Sequence, residues 1–178
     1  MLAMAGAVLI APAAHAADAR KPAVKSRSVP AAGPHAIGKF DDWTAVTNNE
    51  AGQPTCYAFT RATQSTPQIK GRGDVVLTVT ERPGGRDAVA IAAGFAFAQN
   101  ATMQVVADAT TMEFYTSTRS AFAHDGHSAV VAFQRAKTLL AKSTAPKGGP
   151  VTDQFSLRGF SAAYAAVIKA CPAPKPAA

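Results

Sequence analysis

From Asp87 to Ala98 the chain reads DAVAIAAGFAFA, with Val89, Ile91, Ala93, Phe95 and Phe97 at alternate positions and alanine or glycine at every position between them. A period of two puts the bulky set on one face of an extended strand, whereas a helix would scatter it around its axis. Small residues on the other face let a second element approach closely. The same alternation recurs in DVVLTVTERP, where Val75, Leu77 and Val79 share a face, and the intervening RPGGR has the composition of a hairpin turn. Further strands are expected in FDDWTAV, TCYAFTRA, TMQVVAD, MEFYTS, TLLAKS and TDQFSL. About eight short strands punctuated by Gly, Pro and Asn predict an all-β, antiparallel, two-layer sandwich rather than a helical or α/β domain.

Two segments break the pattern and predict short peripheral helices. DGHSAVVAFQRAK starts at an Asp125 or Ser128 cap and runs to about Ala136, with Val130 and Phe133 inward and Val131 beside them. In FSLRGFSAAYAAVIKACP, the residues Phe160, Tyr164, Val167, Ile168 and Cys171 fall at helical offsets and form one apolar stripe. Ser161 is the expected N-cap, the alanines between favour helix, and Pro172 stops it.

Cys171 thus ends the C-terminal helix on its buried side, and Cys56 lies in the early strand TCYAFTRA. These are the only two cysteines, and an even count in an exported chain predicts a Cys56–Cys171 disulfide. A redox-active pair is the alternative, but a helix C-terminus disfavours a thiolate. Alternation places Cys56, Ala58 and Thr60 opposite Tyr57 and Phe59, so the helix is expected to cover the face that the inter-sheet core leaves free.

Export is read from the first residues. MLAMAGAVLIAPAAHA is an apolar run, without a preceding Lys or Arg, that closes on Ala14-His15-Ala16, the small-x-small pattern of a signal-peptidase site. Residues 1–16 are therefore expected to be a signal peptide and 17–36 a flexible leader rich in Pro, Ala and basic side chains. Residues 37–171 form one β-sandwich domain and 172–178 a disordered tail. With 48% hydrophobic and 16% charged residues, the chain has material for one sizeable core. The opening run is shorter than the roughly 20 residues a membrane-spanning helix needs, and no second long apolar run follows, so no transmembrane segment is expected. The net charge of +7 favours anionic surfaces, to which Arg20, Lys21, Lys25 and Arg27 of the leader contribute against Asp18. For an exported protein those surfaces are anionic envelope components. Aromatic and basic residues do not interleave as in single-strand binders, so no nucleic acid is expected.

Motifs for chemistry are sparse. His124 and His127 flank Asp125 in AHDGHS, but no third ligand is fixed by spacing, and a solvated helix entry explains them as well. His35 falls in the leader. Arg72-Gly73-Asp74 in GRGD is an adhesion tripeptide by composition and a turn before a strand by context. Asp41, Asp42 and Glu113 have no partner that spacing brings near, and Trp43 and Tyr57 read as core aromatics before groove linings. No catalytic, cofactor-binding or metal-ligating residue is assigned, and no cofactor is expected.

The opening IGKFDDWTAV, with Gly38, Phe40, Asp42 and Trp43, then Cys56-Tyr57, and finally TDQFSLRGFSAAYAAVIKAC ending at Cys171, resembles the invasion-associated locus B family of alphaproteobacterial exported proteins. The resemblance covers residues 37 to 171. It implies an immunoglobulin-like β-sandwich in the periplasm, secreted or associated with the outer membrane, in a family named for host-cell invasion and virulence. The expected function is non-enzymatic binding in the cell envelope, to an envelope or host protein or to an anionic envelope surface. The alternatives are an unrecognised periplasmic enzyme, such as a hydrolase, and a structural or stress-tolerance protein of the envelope. A concave site with a nucleophile beside a base favours the enzyme; an apolar groove with a basic rim favours the binder.

Overall fold

The protein is seen here as a computed structural model that describes residues 33–174. The expected signal peptide (1–16), most of the leader (17–36) and the end of the tail lie outside the described residues. Among the described residues the elements follow as β1 (His35–Phe40), β2 (Trp43–Glu50), β3 (Gln53–Arg61), β4 (Gln64–Thr66), β5 (Val76–Arg82) and β6 (Gly85–Ala92). They continue with β7 (Thr102–Ala107), β8 (Thr110–Ser117), β9 (Ser120–Ala123), α1 (Gly126–Arg135), β10 (Thr138–Thr144), β11 (Pro150–Ser156) and α2 (Phe160–Ala170).

All the strands belong to one antiparallel sheet in the order β1-β2-β3-β5-β6-β9-β8-β7-β10-β11-β4. Because directly opposed residues share a face, the register can be followed across it. Ala45 opposes Ala58, Ala58 opposes Val79, and Val79 opposes Val89. Ile91 opposes Ala121, Ala123 opposes Phe114, and Phe114 opposes Met103. Val105 then opposes Ala141, Ala141 opposes Asp153, and Asp153 opposes Ser65. Nearly every residue on this path is buried, so one face of one sheet supplies the core. The sheet must therefore curl over on itself. It returns to its starting point because β4 continues β3 across Ala62 and Thr63, whose amide hydrogens bond Val75 on one side and Gln154 on the other. The all-β sandwich with two peripheral helices is the observed architecture, and its two layers are halves of a single continuous sheet.

β1 and β2 extend past this closure, and α2 packs on β1, β2 and β3. This corrects the expected side of the C-terminal helix. Cys56, Ala58 and Thr60 lie on the core face and Tyr57 and Phe59 on the half-exposed outer face, so α2 covers the same face that builds the core. Its anchor is Phe160, whose ring lies 4.8 Å from Trp43, 5.8 Å from Phe133 of α1 and 5.7 Å from Tyr164, centroid to centroid. Buried side chains of this size each contribute about 1.5–3 kcal/mol. The helix ends on the Cys56–Cys171 disulfide, with Cα atoms 5.8 Å apart.

Two details of the helix differ from the sequence expectation. Ile168 is 36% exposed, and Ala163 takes its place in the buried set with Phe160, Tyr164 and Val167. At about 100° per residue, Ala163 and Val167 fall on the near side of Phe160, while Ile168 rotates some 80° past it and out of the interface. Ser161 does not cap the helix: Gly159 holds the N-cap position at φ 86° without a side-chain hydrogen bond. A Cβ at Gly159 would overlap the carbonyl oxygen of Phe40, so close approach of β1 selects glycine there. In α1 the cap is Asp125, which accepts from the Ser128 amide, with Ala129, Val130, Ala132 and Phe133 buried. Strand β6 stops at Ala92, short of the expected run to Phe97, since Gly94 turns at φ +73° against the backbone of Gly73. Phe95 and Phe97 still pack together edge to face beyond the turn. β1 begins at His35, inside the expected leader.

Candidate functional site

Two networks of buried charge tie distant parts of the sheet together. In the first, the side chain of Glu81 on β5 is fully buried and its Oε2 lies 2.5 Å from Arg86 Nε. The Asp87 amide donates to Glu81 Oε1 at 3.0 Å. Tyr164 of α2 donates its hydroxyl to Asp87, and His127 of α1 lies 2.9 Å from the other carboxylate oxygen. Arg86 also donates to the carbonyl of Cys171 at 2.7 Å. One turn of the β5–β6 hairpin thus holds both helices and the disulfide.

Burial pushes the Glu81 carboxyl up to about 7, against the Asp87 amide and the Arg86 guanidinium, which favour its charge. Burial acts in the same direction on Asp87, but the hydrogen bonds from Tyr164 and His127 outweigh it and hold Asp87 below its ordinary range. Burial first, and then the hydrogen bond to Asp87, raise Tyr164. A perturbed acid beside a carboxylate has the look of catalytic tuning. Here Glu81 has no access to solvent, and the cluster serves to dock the helices.

This arrangement carries a pH dependence of known sign. Folded Glu81 keeps its proton to about pH 7, while its ordinary value is 4.5, so its contribution is full below pH 4.5 and is lost as the pH rises through 7. Urea unfolding should show stability falling across that window in the parent protein and falling less in Glu81→Gln. Equal pH dependence in the two proteins would count against this assignment.

The second network sits under the main concavity. Arg72 and Asp153 form a bidentate pair, Nη1 to Oδ1 and Nη2 to Oδ2 at 2.7 Å each, with side-chain exposures of 6% and 0%. Ser65 donates to the same carboxylate at 2.6 Å, and Arg72 Nε donates to the Ala93 carbonyl at 2.7 Å. The guanidinium lies 4.7 Å over the Phe95 ring. Thus the arginine of the Arg72-Gly73-Asp74 tripeptide is a buried strut, while Asp74 pairs with Arg61 at the surface. Adhesion through that tripeptide would need a free arginine, and the fold does not offer one.

Above this strut four loops enclose a groove of about 880 Å³. The β4–β5 connection brings Pro67, Ile69 and Lys70, the β6–β7 connection Phe95 and Ala96, the β8–β9 turn Arg119, and the β10–β11 turn Pro146 and Lys147. Val151 on β11 is also part of the wall. The loops are held in register by short bonds, Arg119 Nη2 to the Gly94 carbonyl at 2.7 Å and the Gly73 amide to the same oxygen at 3.1 Å. None of the described lining residues is Ser, Thr, Cys, His, Asp or Glu. The walls are apolar and the rim carries the exposed cations Lys70, Arg119 and Lys147.

The residues singled out from sequence go elsewhere. His127 joins Asp87, His124 packs against Tyr115, and no three His, Cys, Asp or Glu side chains converge as a metal site among the described residues. Trp43 is fully buried and donates its indole N–H to the Ser156 carbonyl, while Tyr57 lies beside Phe59, the rings tilted, on the outer face. Asp41 and Asp42 pair with Arg158, and Glu113 is exposed on β8.

Residues 43–168, most of the chain, match the model of the invasion associated locus B (IalB) protein family. The chain belongs to the IalB family. Its fold is similar to the crystal structure of invasion associated protein B from Bartonella henselae, with a TM-score of 0.57 at 17% identity, covering 74% of this chain and 94% of that one. No curated protein matches in sequence. The IalB match opens at Trp43, under the C-terminal helix, and takes in the whole groove and both charge networks, while β1 and Cys171 lie outside it. No helix among the described residues of this IalB-family member is long and apolar enough to cross a membrane.

Proposed function

We propose that this IalB-family chain is an exported protein of the cell envelope, periplasmic or associated with the outer membrane, that acts by binding at the four-loop groove rather than by catalysis. The observation that carries this reading is the groove's lining, apolar walls under a cationic rim, with no Ser, Thr, Cys, His, Asp or Glu among the described lining residues. The disulfide supports export, because such bonds persist in oxidising compartments. The names of the family and of the structurally similar Bartonella protein associate such proteins with invasion, which fits a place in the cell envelope.

The reading is tested with a photoreactive amino acid placed at Ala96, in the groove, and separately at Gln104, exposed on the outer face of β7. Irradiation of intact cells should give an adduct with an envelope component from position 96 and none from position 104. Adducts of equal yield from both sites, or none from position 96, would contradict it.

A further inference from the structure

Resting on that reading of the groove, we propose that its occupant is a single-chain anionic amphiphile, a long-chain fatty acid, with its chain along the apolar walls and its carboxylate at the cationic rim. Three features point to this chemistry. The volume of about 880 Å³ lies within the roughly 300–1,000 Å³ of small-molecule sites. The walls formed by Ile69, Phe95, Ala96 and Val151 favour hydrocarbon, and each methylene they bury should tighten binding about fourfold. Lys70, Arg119 and Lys147 stand on the rim, with no acid among the described lining residues, so the field at the mouth is positive.

The same features disfavour other occupants. The leader of this chain is itself cationic through Arg20, Lys21, Lys25 and Arg27, and the rim would repel it. An extended peptide is held through successive main-chain bonds to a sheet edge. This site is built from loops, and Pro67, Pro146 and Pro150 have no amide hydrogen to give. Beneath the groove the Arg72–Asp153 pair neutralises itself, which leaves the apolar base without a net charge to discourage a hydrocarbon tail.

Calorimetric titration of the exported protein with hexadecanoate, dodecanoate and dodecyltrimethylammonium, each below its micelle concentration, tests this. Hexadecanoate should bind one per chain and at least tenfold more tightly than dodecanoate. Dodecyltrimethylammonium should bind at least tenfold more weakly than dodecanoate. Ala96→Trp, which fills the groove from an exposed position, should abolish binding, and Lys70→Glu with Lys147→Glu, two exposed rim cations, should remove the preference for the anion while leaving the melting temperature in place. Equal binding of the cation, binding that survives Ala96→Trp, binding only to phosphatidylglycerol vesicles, or capture of a polyglutamate peptide in place of the fatty acid would each overturn the proposal. Failure here with a position-96 adduct still present would remove the ligand class and leave the groove as the binding site. Failure of both would remove the groove itself.

Discussion

Cys171→Ser is expected to lower the unfolding free energy by as much as about 4 to 5 kcal/mol, the loop-closure value for a cross-link spanning 115 positions. Cys56→Ser has the same effect, and the double variant loses no more than either single one, since one bond is removed in every case. Both sulfurs are buried, at 0% and 4% residue exposure, so neither serine gains water to compensate. The helix should not detach at once, because Phe160 still packs against Trp43 and Arg86 still reaches the Cys171 carbonyl. Denaturant unfolding of the three variants beside the parent checks this. Losses under 1 kcal/mol, or a double variant much weaker than the singles, would mean that the cross-link is not what fastens α2.

Asp153→Ala is expected to cost about 3–5 kcal/mol, because it leaves the Arg72 guanidinium buried without its carboxylate. The ion pair itself is not the source of that stability. Replacing both partners, Arg72→Met with Asp153→Leu, should recover most of the loss, since the charge and its desolvation disappear together. The urea midpoints of the single and double variants decide the matter. A single variant close to the parent would show that solvent reaches Arg72 and that the base of the groove is not closed.

The strands with strong alternation were legible because burial on one side writes itself into the sequence with a period of two. The DAVAIAAGFAFA run is a strand as far as Ala92. Its end at Gly94 was hidden, since what stops it is the backbone of Gly73, a residue on a different loop. β4, three polar residues long, β9, only four residues in all, and β1, broken by a bulge between Ala36 and Gly38, are too short or too irregular to carry a periodic signal. That the layers are one sheet follows from β4 continuing β3 to meet β11, a closure that no local pattern reports. In α2 the stripe was right for Phe160, Tyr164 and Val167 and failed at Ile168, where hydrophobicity outranked angle.

The candidate site was less visible. Arg72 stood inside GRGD, where composition reads as turn, and Asp153 stood in TDQFSL, where an inward acid looks like a surface residue. Their pairing spans 81 positions and depends on the curl of the sheet. The groove comes from four loops whose glycines and prolines signal turns but not which turns meet. The one available cue was charge, with Lys70, Arg119 and Lys147 each beside a glycine, proline or turn residue and without a neighbouring acid in sequence.

The measurement that bears most directly on the account as a whole is peptide mapping under non-reducing conditions, with free thiols alkylated at the moment of lysis, on the protein taken from cells that export it. The account predicts a single cross-linked peptide pair containing Cys56 and Cys171 and no alkylated cysteine. Two alkylated thiols in the exported protein would contradict it, and with it the placement of α2 against β3 and the compartment in which the groove is held to work.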